Sequence, residues 1–253
     1  MKWGRKVINP WDQLAPHRHK QLKEGRDITF ANVLLPKLKD ILCRIDNIER
    51  FRVLDIGCGT GFLTEILSHD VKEIMGIDPS QKSISIAKDY VDGNKKIELQ
   101  CVSIEEFALK HSDEFDLALA HMTLQAIKDM DKAIADVSVV LRANGWFLFS
   151  IPHPCFWSLI KSDVGDENFH YHKSSSHENI FRFSEDLRIS VPYFHRSLES
   201  YSSALSSNGF SILFFSEPFP PDDLMTKYHR PWFYPGFLFV LCRKCESTGK
   251  NEH

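Results

Sequence analysis

Three glycines and two aspartates carry the first chemical signal in the chain. The run Val53-Leu54-Asp55-Ile56-Gly57-Cys58-Gly59-Thr60-Gly61 puts an acid two positions before a G-x-G-x-G loop. A second acid, Asp78, follows about one α-β unit later. Glycine lets the backbone take dihedrals closed to other residues and lets a ligand come within contact distance of the main chain. A helix opening after such a loop offers free N–H groups and the positive end of its dipole to an anionic group. A carboxylate at the end of the next strand can accept hydrogen bonds from both hydroxyls of a ribose. The loop alone is a weak signal; loop and acid together indicate a nucleoside-containing ligand.

Three histidines fall where such a ligand would be reached. His121 ends the predicted fourth strand, His153 follows the fifth, and His195 opens a predicted helix. Imidazole titrates near neutrality, so each is a candidate catalytic base, although a loop histidine bonded to backbone is the commoner role for any single one. The stretch from His153 to Phe194 is rich in aromatic residues, which suit the walls of a small-molecule pocket. Phe156, Trp157 and Tyr193 are the candidate substrate walls there, with Trp11 from the N-terminal segment. His170, His172 and His177 lie near Asp166 and Glu167 but lack the i, i+4 spacing of a helical zinc motif, so no metal is expected. Cys242-Arg-Lys-Cys245 has no second C-x-x-C to complete a zinc site and reads as the end of a last strand.

These groups need a scaffold, and the hydrophobic pattern supplies one. Strands are predicted at 51–56, 71–77, 96–102, 115–121 and 146–151, alternating with helices that begin near Gly61, Ser80, Ser103 and Asp129. Arg142-Ala143-Asn144-Gly145 reads as the C-terminal cap of the last of these helices. Residues 30–45 read as an earlier helix that Pro36 breaks or kinks. The β-α-β order predicts a parallel sheet with helices on both faces, in an α/β fold. After Pro152 the rhythm changes: 180–183 and 187–191 read as a hairpin, 195–208 as a helix, and 210–215 and 237–242 as an antiparallel closing pair. The expected organisation is one domain over 1–253, with a helical cap at 1–48 and a lid-like insertion at 153–194.

The composition sets limits on partners. Of 253 residues, 43% are hydrophobic and 26% charged, with a net charge of −3. That balance suits a globular core and gives no cationic field for a nucleic-acid backbone. The positives of the first 26 residues, Arg18 among them, are scattered as on a solvated helix face. No apolar run nears twenty residues, so no membrane span is expected. The six cysteines form no disulfide framework. A cytoplasmic monomer or homodimer acting on a small molecule is the expectation.

The glycine loop closely resembles motif I of the class I S-adenosylmethionine (SAM)-dependent methyltransferases, which reads (V/L)LD(I/L)GCGTG. Gly76-Ile77-Asp78-Pro79-Ser80 resembles the family's second-strand end, Phe115–Ala120 its fourth strand and Val140–Gly145 its turn before strand five. Ser150-Ile151-Pro152-His153-Pro154-Cys155-Phe156 and Phe194-His195-Arg196-Ser197-Leu198 are similar to segments of a subgroup acting on small molecules, and Gly25-Arg26-Asp27 and Ser216-Glu217-Pro218 fit it too. The resemblance covers roughly residues 25–244. It implies a Rossmann-like doubly wound, seven-stranded mixed sheet, with SAM as cofactor and S-adenosylhomocysteine as product. It also implies roles by position. Asp55 and Gly57 would lie beside the methionine end, Asp78 would hold the ribose, Ser103 and Ile104 would flank the adenine, Ala120 and His121 would face the methionine ammonium, and Cys58, Gly59, Gly61 and Pro79 would complete the cofactor-binding residues. Serine at 103 departs from the family's usual aspartate, and with Glu106 it also reads as a helix capping box. Methyl transfer to O or N of a small molecule by in-line displacement is the activity implied. The alternatives are a SAM-binding protein without catalysis and a dinucleotide-dependent oxidoreductase, against which the G-x-G-x-G spacing argues.

Overall fold

A computed structural model describes residues 9–161, 169–184, 186–228 and 231–246; Asp166, Glu167 and Glu185 lie outside these. The predicted alternation builds a seven-stranded sheet in the order β3-β2-β1-β4-β5-β9-β8. Its strands are β1 (Arg52–Ile56), β2 (Glu73–Ile77), β3 (Ile97–Gln100), β4 (Phe115–His121), β5 (Leu141–Pro152), β8 (Phe210–Ser216) and β9 (Phe237–Lys244). β1 to β5 run parallel, and β9 lies antiparallel between β5 and β8. From β1 the chain winds outward to β2 and β3, then returns to place β4 on the other side of β1. The carboxyl ends of β1 and β4 therefore flank the crevice where ligands bind in such sheets.

The inner parallel strands β1, β2, β4 and β5 are buried on both faces along most of their length, which is why they read as apolar runs, whereas the edge strand β3 alternates half-buried Ile97 and Leu99 with exposed Glu98 and Gln100. In β1, Val53 joins a core with Ile74, Leu117, Leu119 and Leu148. Its neighbours Leu54 and Ile56 face the opposite core with Ala118, Phe147 and Phe149. Helices α3 (Phe62–Ser68), α4 (Gln81–Tyr90), α5 (Ile104–Ala108), α6 (Met130–Val140) and α8 (Leu198–Ser207) accompany the sheet. Ser80, Ser103, Asp129 and Ser197 cap four of them by accepting a backbone N–H three residues on.

Several boundaries differ from the sequence reading for local reasons. Pro36 does not break its helix: a π-helical turn at Phe30–Leu34 leads directly into α2 (Leu35–Leu42), and Pro36 sits in the first turn of α2. The π turn carries Leu35 N–H to the Phe30 carbonyl, so the bond that Pro36 could not make in a continuous α-helix is absorbed by a change of helix type. Residues 142–145 are not a helix cap. Leu141 is already extended and pairs with Phe115, and the strand register then shifts to Trp146 opposite Leu117. Asn144, at φ 58°, takes the left-handed turn of that bulge. His195 is the last residue of a strand rather than the start of a helix, because Ser197 caps α8.

The insertion holds a short helix, α7 (Trp157–Lys161), and a hairpin of β6 (Ser175–Arg182) and β7 (Arg188–His195). The hairpin is longer than predicted, with Phe181 opposite Ile189 and Ser175 opposite His195. It packs on the N-terminal helix α1 (Pro10–Lys23): Leu14 meets Ile189 and Val191, with Trp11, Phe181, Phe183 and Leu187 around them. No helix among the described residues is long and apolar enough to cross a membrane.

Candidate active site

Helix α1 and the hairpin form a roof over the carboxyl ends of β1, β2 and β4. Beneath it lies a cavity of about 1150 Å³. Pockets for a single small ligand hold about 300–1,000 Å³, so this one has room for a nucleoside-containing ligand and a second small molecule.

The floor is the glycine loop. Gly57, Gly59 and Gly61 all have left-handed φ, at 70°, 56° and 73°. A Cβ on Gly57 would lie 2.5 Å from the Thr123 side chain, so this glycine lets the segment after β4 close on the loop. A Cβ on Gly59 would meet nothing within 4 Å; together with its backbone N–H bound to Asp78, this leaves the loop bare where a ligand would approach. Asp78 accepts from Gly59 N at 3.0 Å and from Ser80 N at 2.8 Å, which fixes the carboxylate and leaves further lone pairs for hydroxyl donors. Burial pushes the Asp78 carboxyl pKa up, while the Ser80 and Gly59 N–H groups pull it down.

Asp55 is only 2% exposed and accepts from Thr64 Oγ1 at 2.6 Å. Burial raises its pKa to about 7, against the pull of Thr64 and with a push from Asp78. Cys58 lines the cavity too, and burial raises its thiol pKa well above the usual value, which keeps it protonated and unreactive. Pro79, Ser103 and Ile104 line the far end. Ser103 does form the capping box: its Oγ accepts from Glu106 N at 3.2 Å, and Ser103 N donates to Glu106 Oε2 at 3.3 Å.

The candidate bases separate sharply. His121 lines the cavity, with Nδ1 2.7 Å from Ser150 Oγ, but burial and then nearby Arg18 lower its pKa to about 4. His153 is 2% exposed, pairs with Glu217 through Nε2 at 2.7 Å, and is not part of the cavity wall. His195 is fully buried outside the cavity, bonded through Nε2 to the Tyr171 carbonyl at 2.9 Å, and burial lowers its pKa. Neither His153 nor His195 is placed to take a proton from a molecule in the cavity, because the strand ends that carry them turn their rings into the protein. Ala120 is likewise fully buried in the core under the sheet and does not face the ligand space.

Of the predicted substrate walls, Trp11, Trp157 and Tyr193 line the cavity. Trp157 and Tyr193 stack on each other at 4.2 Å. Phe156 does not line it; it stacks from behind on Tyr234, which does.

Four important residues were missed from sequence. Arg18, read as part of a solvated face, lines the cavity and is paired with Asp27. Asp27 also caps the π-helical turn by accepting from Phe30 N at 2.8 Å. Asp12 accepts from Ser80 Oγ at 2.6 Å and from Lys82 N at 3.1 Å, which latches α1 onto the start of α4. Arg196, 7% exposed, donates to the Ile127 and Lys128 carbonyls at 2.6 and 2.7 Å and so ties the end of the hairpin to the loop after β4. The Gly25-Arg26-Asp27 and His195-Arg196 segments marked two of these residues without giving a role.

Comparison with known proteins agrees with this geometry. The methyltransferase-domain family matches residues 54–149, from the glycine loop to β5. A ubiquinone biosynthesis O-methyltransferase of Aromatoleum aromaticum is 32% identical over 117 residues, covering 46% of this chain and 50% of that protein. One from Bradyrhizobium diazoefficiens is 30% identical over 161 residues, 63% of this chain and 62% of that protein. The chain thus spans about half to three-fifths of the length of these relatives. A structure from Listeria monocytogenes, assigned to the S-adenosylmethionine-dependent methyltransferases, superposes with a TM-score of 0.64 at 25% identity, over 82% of this chain and 97% of that one. Loop, switch point, strand order and these likenesses agree: residues 54–149 match the methyltransferase-domain family, and the fold is similar to that of SAM-dependent methyltransferases.

Proposed function

We propose that this protein binds SAM along the β1–β2–β4 edge and transfers its methyl group to an oxygen of a small molecule held under the roof. The observation that carries this reading is the Gly59–Asp78 pairing at the floor of a cavity large enough for two ligands. The donor set fits the cofactor: bare glycine backbone beside Asp55 for the amino-acid end, Asp78 for the ribose hydroxyls, and Ser103 and Ile104 beside the base. The transfer to oxygen is supported by the O-methyltransferases that the chain resembles.

SAM supplies an activated methyl on a sulfonium, so the protein's share is alignment and exclusion of water. Asp78 and the glycine loop fix the nucleoside. The described residues of 1–48 serve as a cap, and those of 153–194 as a lid whose Trp157 and Tyr193 wall the acceptor space. With His153 and His195 outside the cavity, proximity carries the rate rather than a histidine base. A test is transfer of labelled methyl from SAM to a panel of hydroxylated aromatic compounds. Labelled product supports the reading; SAM binding with no transfer across the panel favours a binding role instead.

A further inference from the structure

His121 has the residue type of a proton acceptor, but its surroundings assign it another task. Ser150, 1% exposed, has its Oγ 2.7 Å from His121 Nδ1. The same Oγ accepts from Met122 N at 3.2 Å, and Met122 N is shared with the Ser150 carbonyl at 2.9 Å. Met122 itself is held at a left-handed φ of 54°, which these bonds stabilise. A serine hydroxyl has one proton to give. If Nδ1 carried the imidazole proton, Ser150 Oγ would accept twice, and its own buried proton would have no acceptor among the described residues. If Ser150 donates to Nδ1, every group is satisfied and the imidazole proton sits on Nε2. Nε2 has no hydrogen-bond partner among the described residues, and the ring lines the cavity.

The neighbourhood indicates what Nε2–H would meet. Thr123, two residues on, closes against Gly57, so the end of β4 adjoins the loop proposed for the amino-acid end of the cofactor. Around the ring stand Arg18 from α1, Asp27 paired to it, Phe30 edge-on at 6.0 Å, Phe239 at 6.2 Å and Ser150. Arg18 and burial both oppose a charge on the imidazole, while Asp27 acts the other way. A neutral donor beside a guanidinium suits an anionic oxygen.

We propose that His121 is a fixed, uncharged hydrogen-bond donor, its tautomer set by Ser150, and that its Nε2–H binds the carboxylate of the ligand's methionine portion. This rests on the SAM reading of the cavity. It makes His121 a binding residue and removes it from the candidate bases.

Nitrogen NMR of the histidine-labelled full chain tests the tautomer without any ligand. The expected spectrum has Nε2 protonated and Nδ1 bare, unchanged between about pH 5.5 and 8, and Ser150→Ala moves it toward a mixture of tautomers. A titration midpoint between about 6 and 7, or the proton on Nδ1, overturns the proposal. Calorimetry tests the ligand group with S-adenosylhomocysteine and with 5′-methylthioadenosine, which keeps the nucleoside and sulfur but lacks the amino acid. His121→Phe should weaken the first by about 10-fold or more and the second by less than about twofold, since only the first loses a hydrogen bond to a charged group. Equal losses for both, or none for the first, overturn it. If the unaltered protein binds neither compound, the SAM reading fails, while the nitrogen spectrum still decides the tautomer.

Discussion

Asp78 at the end of β2 accepts the backbone N–H of Gly59 at 3.0 Å. One carboxylate thus shapes the glycine loop and, in the proposed function, holds the ribose. Asp78→Ala is expected to weaken binding of S-adenosylhomocysteine by at least about 10-fold, because hydrogen bonds to a charged group contribute about 1.5–3 kcal/mol each. Calorimetry on the folded variant checks this. An unchanged affinity would place the ribose elsewhere.

Asp55 gives the protein a pH signature. Its folded pKa, about 7, lies above the value of an exposed aspartate. The folded state therefore holds a proton that the unfolded state has lost, and the stability this contributes below about pH 4 is lost as pH rises through 7. Asp55→Asn keeps an oxygen acceptor for Thr64 and carries no titration. Urea unfolding at about pH 5 and 8.5 should show the variant losing less stability over that interval than the parent. His121 titrates in the opposite sense, but it is common to both proteins and cancels in the difference.

Arg196 holds the lid to the site. Its replacement by Ala leaves the carbonyls of Ile127 and Lys128 without their donor, and a loss of about 2–4 kcal/mol is expected. Arg196→Lys should recover only part of it, because one ammonium does not reproduce the guanidinium fork. Denaturant midpoints of the two variants decide this; full rescue by Lys would show that charge alone suffices.

Asp12 latches α1 across the cavity mouth through Ser80 and Lys82. Asp12→Ala should speed dissociation of S-adenosylhomocysteine by about 3–10-fold, the size of about one lost hydrogen bond. It should also open residues 10–23 to limited proteolysis. Unchanged dissociation would mean that ligand leaves by another route.

The sheet and the cofactor floor were legible in the sequence because both depend on local pattern. Apolar runs mark buried parallel strands, and Gly57, Gly59, Gly61, Asp55 and Asp78 lie close together along the chain. The roof was not legible, because it depends on distant contacts. Arg18 looked like a surface cation until α1 was seen to fold over the loop, where it pairs with Asp27. His153 and His195 stand at strand ends near the ligand edge, yet side-chain direction put one against Glu217 and the other against Tyr171. The left-handed turn before Trp146 fell on Asn144 rather than on a helix cap, because Leu141 had already entered the sheet.

The central claim is that the cavity is a SAM site. Titrating the purified full chain with S-adenosylhomocysteine and, separately, with NAD by calorimetry tests it most directly. The account predicts saturable one-to-one binding of S-adenosylhomocysteine, reduced by Asp78→Ala, and no heat from NAD. Binding of NAD without S-adenosylhomocysteine, or of neither, would contradict it.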